Sequence, residues 1–325
     1  MSSGRFASTF VTVSLLGALA GAACDNGKMH LHPPDGARDA YQAPWWTPKP
    51  GETKNWDIQV NPPFDLATAR TMYIVDLWDV ATPTTIEYGD MGPVSVPAGP
   101  LAGKVTELKA AGAKVICRVG TGAIRLTDPD ARKFAGFEAT PPDDPTPPAA
   151  GSVIGWHTRD ADERFLDLRT ASRALWQARL FKRFDLAKQL GCDGIEPDWI
   201  ASFAAATGFT VTIDENIAWA KTVAAQAHER DLSVGMQNGT NGIVDQVAVD
   251  FDWLLAERCG EFDDCDTTRS FIALRKAVFA VDYQTDEEGN ALPMSLLCGH
   301  QLDAQIEDGL IKDNALSSSY RATCM

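Results

Sequence analysis

The chain has 325 residues and little of what marks nucleotide, metal or serine chemistry. No GxGxxG follows the first strand-like run and no P-loop occurs, so the glycine turns that cradle phosphates at a helix N-terminus are missing. No HExxH or clustered histidine pattern is present. Of five histidines, His228 falls on a helical stretch and His30 and His32 in a polar segment, where ordinary surface roles are expected. The absence of a GxSxG elbow leaves a serine triad unsupported, and the cysteine spacings lack the paired CxxC of structural zinc. In GEFDDCDTT, Asp263, Asp264 and Asp266 lack EF-hand spacing and read as a solvated loop with a helix cap. Basic residues are scarce too. With 29 Lys and Arg against 44 Asp and Glu, the formal net charge is −15, which argues against a phosphate-backbone binder, and no nucleic-acid partner is expected. No internal repeat is visible, and neither a cofactor nor a metal is called for.

Long apolar runs are limited to one, Phe10 to Leu19, too short and too rich in small residues for a comfortable membrane span. It follows Arg5 and precedes Ala20, Gly21, Ala22, Ala23 and Cys24, the order of an export signal over residues 1–24. Gly21 to Cys24 resembles a degenerate bacterial lipobox, in which Cys24 would become an acylated N-terminus and anchor the protein to a membrane. The expectation is a secreted protein or a cell-surface lipoprotein. Residues 25–45 are polar and Pro-rich without periodicity, as in a flexible tether, so function is expected in one domain over residues 46–325. Setting Cys24 aside leaves six cysteines, an even number suited to an oxidising compartment. Several pairings are open. Cys259 and Cys265 are close enough to close a small loop, Cys298 could tie down Cys324, and Cys117 with Cys192 would remain.

Beyond the tether, apolar β-rich runs alternate with helix-patterned segments. The strand candidates are MYIVDL (72–77), KVICRV (114–119), RFLDLR (164–169), GIEPDW (194–199), LSVGMQN (232–238), FDWLLAE (251–257), AVFAVDY (277–283) and a weaker LIKDNAL (310–316). Helical spacing recurs over 101–111, 171–190, 214–230 and 293–308. Continuous rather than alternating apolar runs mark strands buried on both faces, hence a parallel sheet covered by helices. Eight βα units fit a (β/α)₈ TIM barrel, an α/β fold, with the Pro-rich stretch 137–151 as a surface loop.

In such a barrel the side chains at the C-terminal strand ends converge on one mouth, and here they are mostly acidic. The candidates are Asp76 and Asp79, Asp167 and Arg169, Glu196 and Asp198, Gln237 and Asn238, Glu257, and Asp282 and Tyr283. Asp79 is the one best explained as a helix cap or salt-bridge partner. Glu196 and Asp198 share a strand face by their i, i+2 spacing. Glu257 ends an apolar strand, where a charge is costly unless paired, solvated in a cleft or kept neutral. Two carboxyl groups flanking a glycosidic bond are sufficient for glycoside hydrolysis without metal or cofactor. Trp78 and Trp199, beside rim acids, would supply sugar-stacking faces.

These motifs resemble glycoside hydrolase family 114, the endo-α-1,4-polygalactosaminidases, over residues 45 to 285. The resemblance rests on YIVDLWD, KVICRV, FLDLR, RFDLAKQLGCDGIEPDW, TGFTVT, AHERDLSVGMQN, FDWLLAERCGEFDDC and VFAVDY, in that order. It implies a secreted barrel that cleaves galactosamine-containing polysaccharide, with Asp198 as nucleophile, Glu257 as general acid/base and an amino-sugar polymer as partner of a monomer. An acidic cleft suits a cationic polymer. The chain departs from the family pattern at Arg118, where an aromatic residue is usual, at Gln237 before Asn238, where lysine is usual, at Asp282, where glutamate is usual, and in GTGAIRLTDPD, which lacks an expected acid. These departures favour either a changed subsite, with Arg118 among its contacts, or a surface glycan-binding lipoprotein on a degenerate barrel.

Overall fold

Eight parallel strands follow one another around a curled sheet in chain order: β1 Trp56–Gln59, β2 Met72–Asp76, β3 Lys114–Gly120, β4 Gly194–Asp198, β5 Ser233–Gln237, β6 Trp253–Glu257, β7 Ala277–Tyr283 and β8 Asp308–Lys312. A ninth, β9 Arg321–Cys324, pairs antiparallel with β8. This computed structural model describes residues 43–141, 144–239 and 242–324, together with the backbone pairing of Cys24–Asp25 and Lys28–Met29. The expected signal segment, the side chain of Cys24 and most of the expected tether lie outside the described residues. Among them the compact unit begins at Pro44.

The expected count of eight parallel strands holds, but not its membership. RFLDLR does not enter the barrel: Glu163–Leu166 pairs antiparallel with Ala123–Arg125 and Ile154–His157 in a separate three-stranded sheet. Its place is taken by β1, a four-residue strand whose Asp57 and Gln59 hide it from a search for apolar runs. The helices between strands fall where the periodicity put them, at Lys104–Ala110, Thr170–Leu190, Ile213–His228 and Met294–Asp303. Ile213–His228 opens on a reciprocal cap between Thr212 and Glu215, which satisfies donors that the first helical turn leaves free. The stretch 137–151 carries no helix or strand among its described residues.

Strand parity sorts the core into two layers. Trp56, Ile58, Met72, Ile74, Ile116, Trp253, Leu255, Phe279, Val281 and Leu310 fill the barrel, while Tyr73, Val75, Val115, Cys117, Ile195, Val234, Leu254 and Val278 pack outward under the helices. Gly235 faces inward because a Cβ there would meet the Trp253 ring at 2.3 Å. Continuing the inward parity to the strand ends gives Asp76, Arg118, Glu196, Asp198, Gln237, Glu257, Tyr283 and Lys312, so the barrel changes from apolar to ionic as it approaches its mouth.

Three disulfides, Cys117–Cys192, Cys259–Cys265 and Cys298–Cys324, match the pairing favoured by sequence spacing. The first joins residues 75 apart and staples β3 to the entry of β4; closing such a loop is worth about 4 kcal/mol in the chain-entropy description. At the end of the barrel where the strands start, away from the mouth, Trp45 stacks on His228 with ring centroids 4.0 Å apart and donates to Asp252 at 2.9 Å. Asp252 also accepts from the Val234 amide at 2.9 Å and faces the His228 ring at 3.0 Å, so the entering chain is pinned below the starts of β5 and β6.

Between β8 and β1 the barrel closes through side chains. The Trp56 indole donates to the Asp308 carbonyl at 2.9 Å, Arg321 donates to the Trp56 carbonyl at 2.7 Å, and Lys312 meets Asp57 at 2.8 Å. Lys312 and Asp57 are 0% and 3% exposed, so removing either strands a buried charge, at a cost of about 3–5 kcal/mol. Lys312→Met is expected to lower the stability measured in urea by that amount, and Asp57→Asn introduced beside it should recover part of the loss. An unchanged midpoint in Lys312→Met would show that the pair does not hold the seam.

Candidate active site

Three strand ends build the centre of the mouth. On β4, Asp198 uses one carboxylate oxygen for two partners, Arg118 at 2.8 Å and the Trp199 amide at 3.0 Å, and among the described residues its other oxygen takes no partner. Its carbonyl accepts from the amides of Thr121 and Gly122 in the glycine-rich turn after β3. That turn approaches so closely that a Cβ on Gly122 would lie 1.8 Å from the Trp199 carbonyl. On β6, Glu257 accepts from the Tyr283 hydroxyl through one oxygen and from the Gln237 amide at 3.1 Å through the other, while its backbone amide donates to Asn238 at 2.6 Å. Gln237 on β5 also accepts from the Trp199 amide at 3.0 Å, so a single neutral side chain links the supports of both acids.

The residue after each of these strands, Trp199, Asn238 and Arg258, has a left-handed backbone with φ of 55°, 49° and 66°. Non-glycine residues rarely adopt it, and strain of about 1 kcal/mol or more at each is stored at the site. The turns aim Trp199 and Asn238 into an open cleft of about 400 Å³ shared by Asp198, Glu257, Gln237, Tyr283 and Arg118. Arg258 stacks its guanidinium 4.3 Å from the Tyr283 ring centre and pairs with Glu261 at 2.6 Å. Phe262, 56% exposed, adds an aromatic face at the cleft wall behind the Cys259–Cys265 loop.

Below the cleft the charges are buried. Glu196 is 0% exposed, has no hydrogen-bond partner for either oxygen among the described residues, and lies 3.5 Å from Arg118 Nε. Burial pushes its pKa up to about 8 against the pull of Arg118, with Asp198 and Glu257 adding to the rise, so it is a neutral acid at pH 7. Burial disfavours the Arg118 cation, but the charge of Asp198 and the hydrogen bond to it, with a further contribution from Glu257, outweigh it and hold the guanidinium charged. Tyr283 is raised well above the usual phenol range by burial and by Glu257.

Other expected site residues lie elsewhere. Asp76 accepts from the Trp78 amide at 2.8 Å and from Arg125 at 3.0 Å, and both Asp76 and Trp78 line a small recess beside Asp198 rather than the open cleft. Asp282 is a correction: alternating with the inward Phe279, Val281 and Tyr283 on β7, it turns outward, where it accepts from the Gly260 and Glu261 amides and from Gln301. Asp167 and Arg169 are another. They follow the separate antiparallel sheet, and Asp167 is 1% exposed and spent on Arg169 at 2.6 Å. The residue that sequence reasoning missed is Glu163. It stands one residue before RFLDLR, at the start of a strand of the separate sheet, and lines both cleft and recess. It accepts from the Trp199 indole and Thr158 hydroxyl, each at 2.7 Å, and burial plus the charge of Asp198 push its pKa up to about 7 against those bonds. Among the described residues no group of three or more His, Cys, Asp or Glu is arranged to hold a metal.

The mouth is thus ionic, with two carboxylates from separate strands of a parallel barrel facing one open cleft. The glycoside-hydrolase family GH114 model matches residues 36–325, and the chain belongs to that family. Among solved structures, Aspergillus fumigatus Ega3 in complex with galactosamine superposes with a TM-score of 0.66 at 24% identity, covering 88% of this chain and 100% of that one. The glycoside hydrolase domain of PelA from Pseudomonas aeruginosa gives 0.50 at 14% identity, covering 83% and 97%. At these identities both show the shared fold. No curated protein sequence matches.

The neutral state of Glu196 gives a signed expectation. A carboxyl whose folded pKa lies near 8 instead of 4.5 contributes stability below the lower value, which is lost as pH rises through the upper one. Glu196→Gln keeps the neutral shape and cannot ionise. Urea unfolding at pH 5 and pH 8 should therefore show a smaller alkaline loss of stability in Glu196→Gln than in the wild type. Equal losses would mean that Glu196 does not titrate in this range.

Proposed function

We propose that this protein hydrolyses α-1,4-linked galactosamine-containing polysaccharide by double displacement, with Asp198 as nucleophile and Glu257 as general acid/base. The carrying observation is the arrangement of those two carboxylates on one cleft, held by different partners for different tasks. Asp198 commits one oxygen to Arg118 and the Trp199 amide and keeps the other for the anomeric carbon. Glu257, oriented by Tyr283 and Gln237, would protonate the glycosidic oxygen as the bond to the leaving sugar breaks, giving a glycosyl ester on Asp198. It would then take a proton from the water that attacks the same carbon, regenerating Asp198 and releasing product with retained configuration. The acidic net charge favours a cationic polymer, and Trp199 offers a stacking face in the cleft.

The export reading rests on the signal-like first 24 residues and is supported by three disulfides, which persist in oxidising compartments. In this reading residues 25–45 tether the barrel, and Cys24 is either the cleaved boundary of a secreted chain or its lipid attachment. Mass spectrometry of the mature N-terminus is expected to find cleavage at or beside Cys24; an intact Met1 would overturn export through this segment.

On de-N-acetylated galactosamine polymer, Asp198→Asn and Glu257→Gln should each lower kcat by about 10²–10⁴-fold while both proteins stay folded. Nuclear magnetic resonance of the first-formed product should show the α-anomer. Undiminished hydrolysis by both variants would reject the assignment. Polymer binding by wild type and both variants, without product from any of them, would favour a glycan-binding protein instead.

A further inference from the structure

The recess beside Asp198 contains an acid without a salt bridge, acted on by the Arg125 guanidinium only through space. It measures about 20 Å³, room for one small group, and its walls carry four carboxylates and three guanidiniums. Three of the acids are paired: Asp76 with Arg125 at 3.0 Å, Asp128 with Arg183 at 2.9 Å, and Asp198 with Arg118 at 2.8 Å. The fourth, Glu163, is 7% exposed and receives only the neutral donors Trp199 and Thr158, both on one oxygen. Among the described residues its other oxygen has no hydrogen-bond partner. Glu163 and Asp198 are the two acids shared by recess and cleft, and Trp199 spans them, its amide on Asp198 and its indole on Glu163. An anion disfavoured by burial and by a neighbouring negative charge gains most from an incoming cation.

We propose that Glu163 is the specificity-determining residue at the cleavage point, its free carboxylate oxygen receiving the C2 ammonium of the galactosamine whose anomeric carbon lies against Asp198. The inference rests on the galactosamine reading above and adds to it a residue and a rejection rule. The C2 nitrogen is one bond from the carbon next to the anomeric centre, and the proposed pose turns it toward Glu163, the acid that lines both recess and cleft with Asp198 and shares Trp199 with it. An acetamido group fails there twice. It lacks the charge that would complete the fourth pair, and its carbonyl and methyl exceed a space sized for one small group.

The test is steady-state kinetics of the full chain on an α-1,4-linked galactosamine oligomer and on its N-acetylated counterpart. The wild type should cleave the first and leave the second intact. Glu163→Gln, checked for folding by thermal unfolding, should raise KM for the galactosamine oligomer roughly ten- to a hundredfold, the loss expected for a charge-assisted hydrogen bond, with a smaller change in kcat. Glu163→Asp should recover part of the loss. A wild type that cleaves the galactosamine oligomer while Glu163→Gln keeps its KM overturns this inference and leaves the hydrolysis reading intact. Equal cleavage of both oligomers by the wild type overturns it independently of whether the variants fold, and cleavage of neither overturns both readings.

Discussion

Two carboxyl groups two residues apart on the inner face of β4 are tolerable only because a guanidinium stands at their level on the next strand. Registry sets this: Arg118 on β3 is aligned with Glu196 and also with Asp76 on β2. The Coulombic gain is split unequally. Asp198 receives the short contact, and Glu196, deeper and dry, meets the same residue only at 3.5 Å and remains protonated. Burying a second full charge would cost more than one arginine returns. Burial drives Glu196 toward its neutral form and leaves the short Arg118 contact to Asp198, while the Cys117–Cys192 crosslink ties β3 to the chain entering β4.

The two candidate acids are supported in contrasting ways. Asp198 has a cation and a backbone amide; Glu257 has a phenol and a carboxamide, neither charged. Gln237 coordinates the two without favouring either, since its amide group donates to one side and accepts from the other. The left-handed residues after β4, β5 and β6 let three strands leave the barrel wall at once while the last inward side chain of each stays in place.

Much of the architecture could be read from apolar runs separated by helical periods, since parallel strands covered on both sides must be continuously hydrophobic. Two strands defeated that rule for opposite reasons. Trp56–Gln59 is short and half polar, because Asp57 and Gln59 serve the seam with Lys312 rather than the core. RFLDLR is apolar enough for the barrel, but its partners are Ala123–Arg125 and Ile154–His157 on the long excursion after β3, and local sequence does not encode which edge a strand will find. The misreading of that strand concealed Glu163. Asp282 fails on a simpler ground: with Tyr283 inward, alternation already sends its neighbour outward, so parity along AVFAVDY was sufficient to exclude it. Asp198 and Glu257 share the inward parity and were legible as strand-end acids. Their differing supports depend on Arg118, Gln237 and Tyr283 from three other strands, which no single segment reveals.

The clasp of Trp45 on His228 and Asp252 fixes where outside forces reach the molecule. Whatever is joined upstream of Pro44 pulls on the floor of the cylinder, beneath β5 and β6, while the opening lies at the far rim. Strain applied at that point must travel the length of β5 and β6 to reach the mouth.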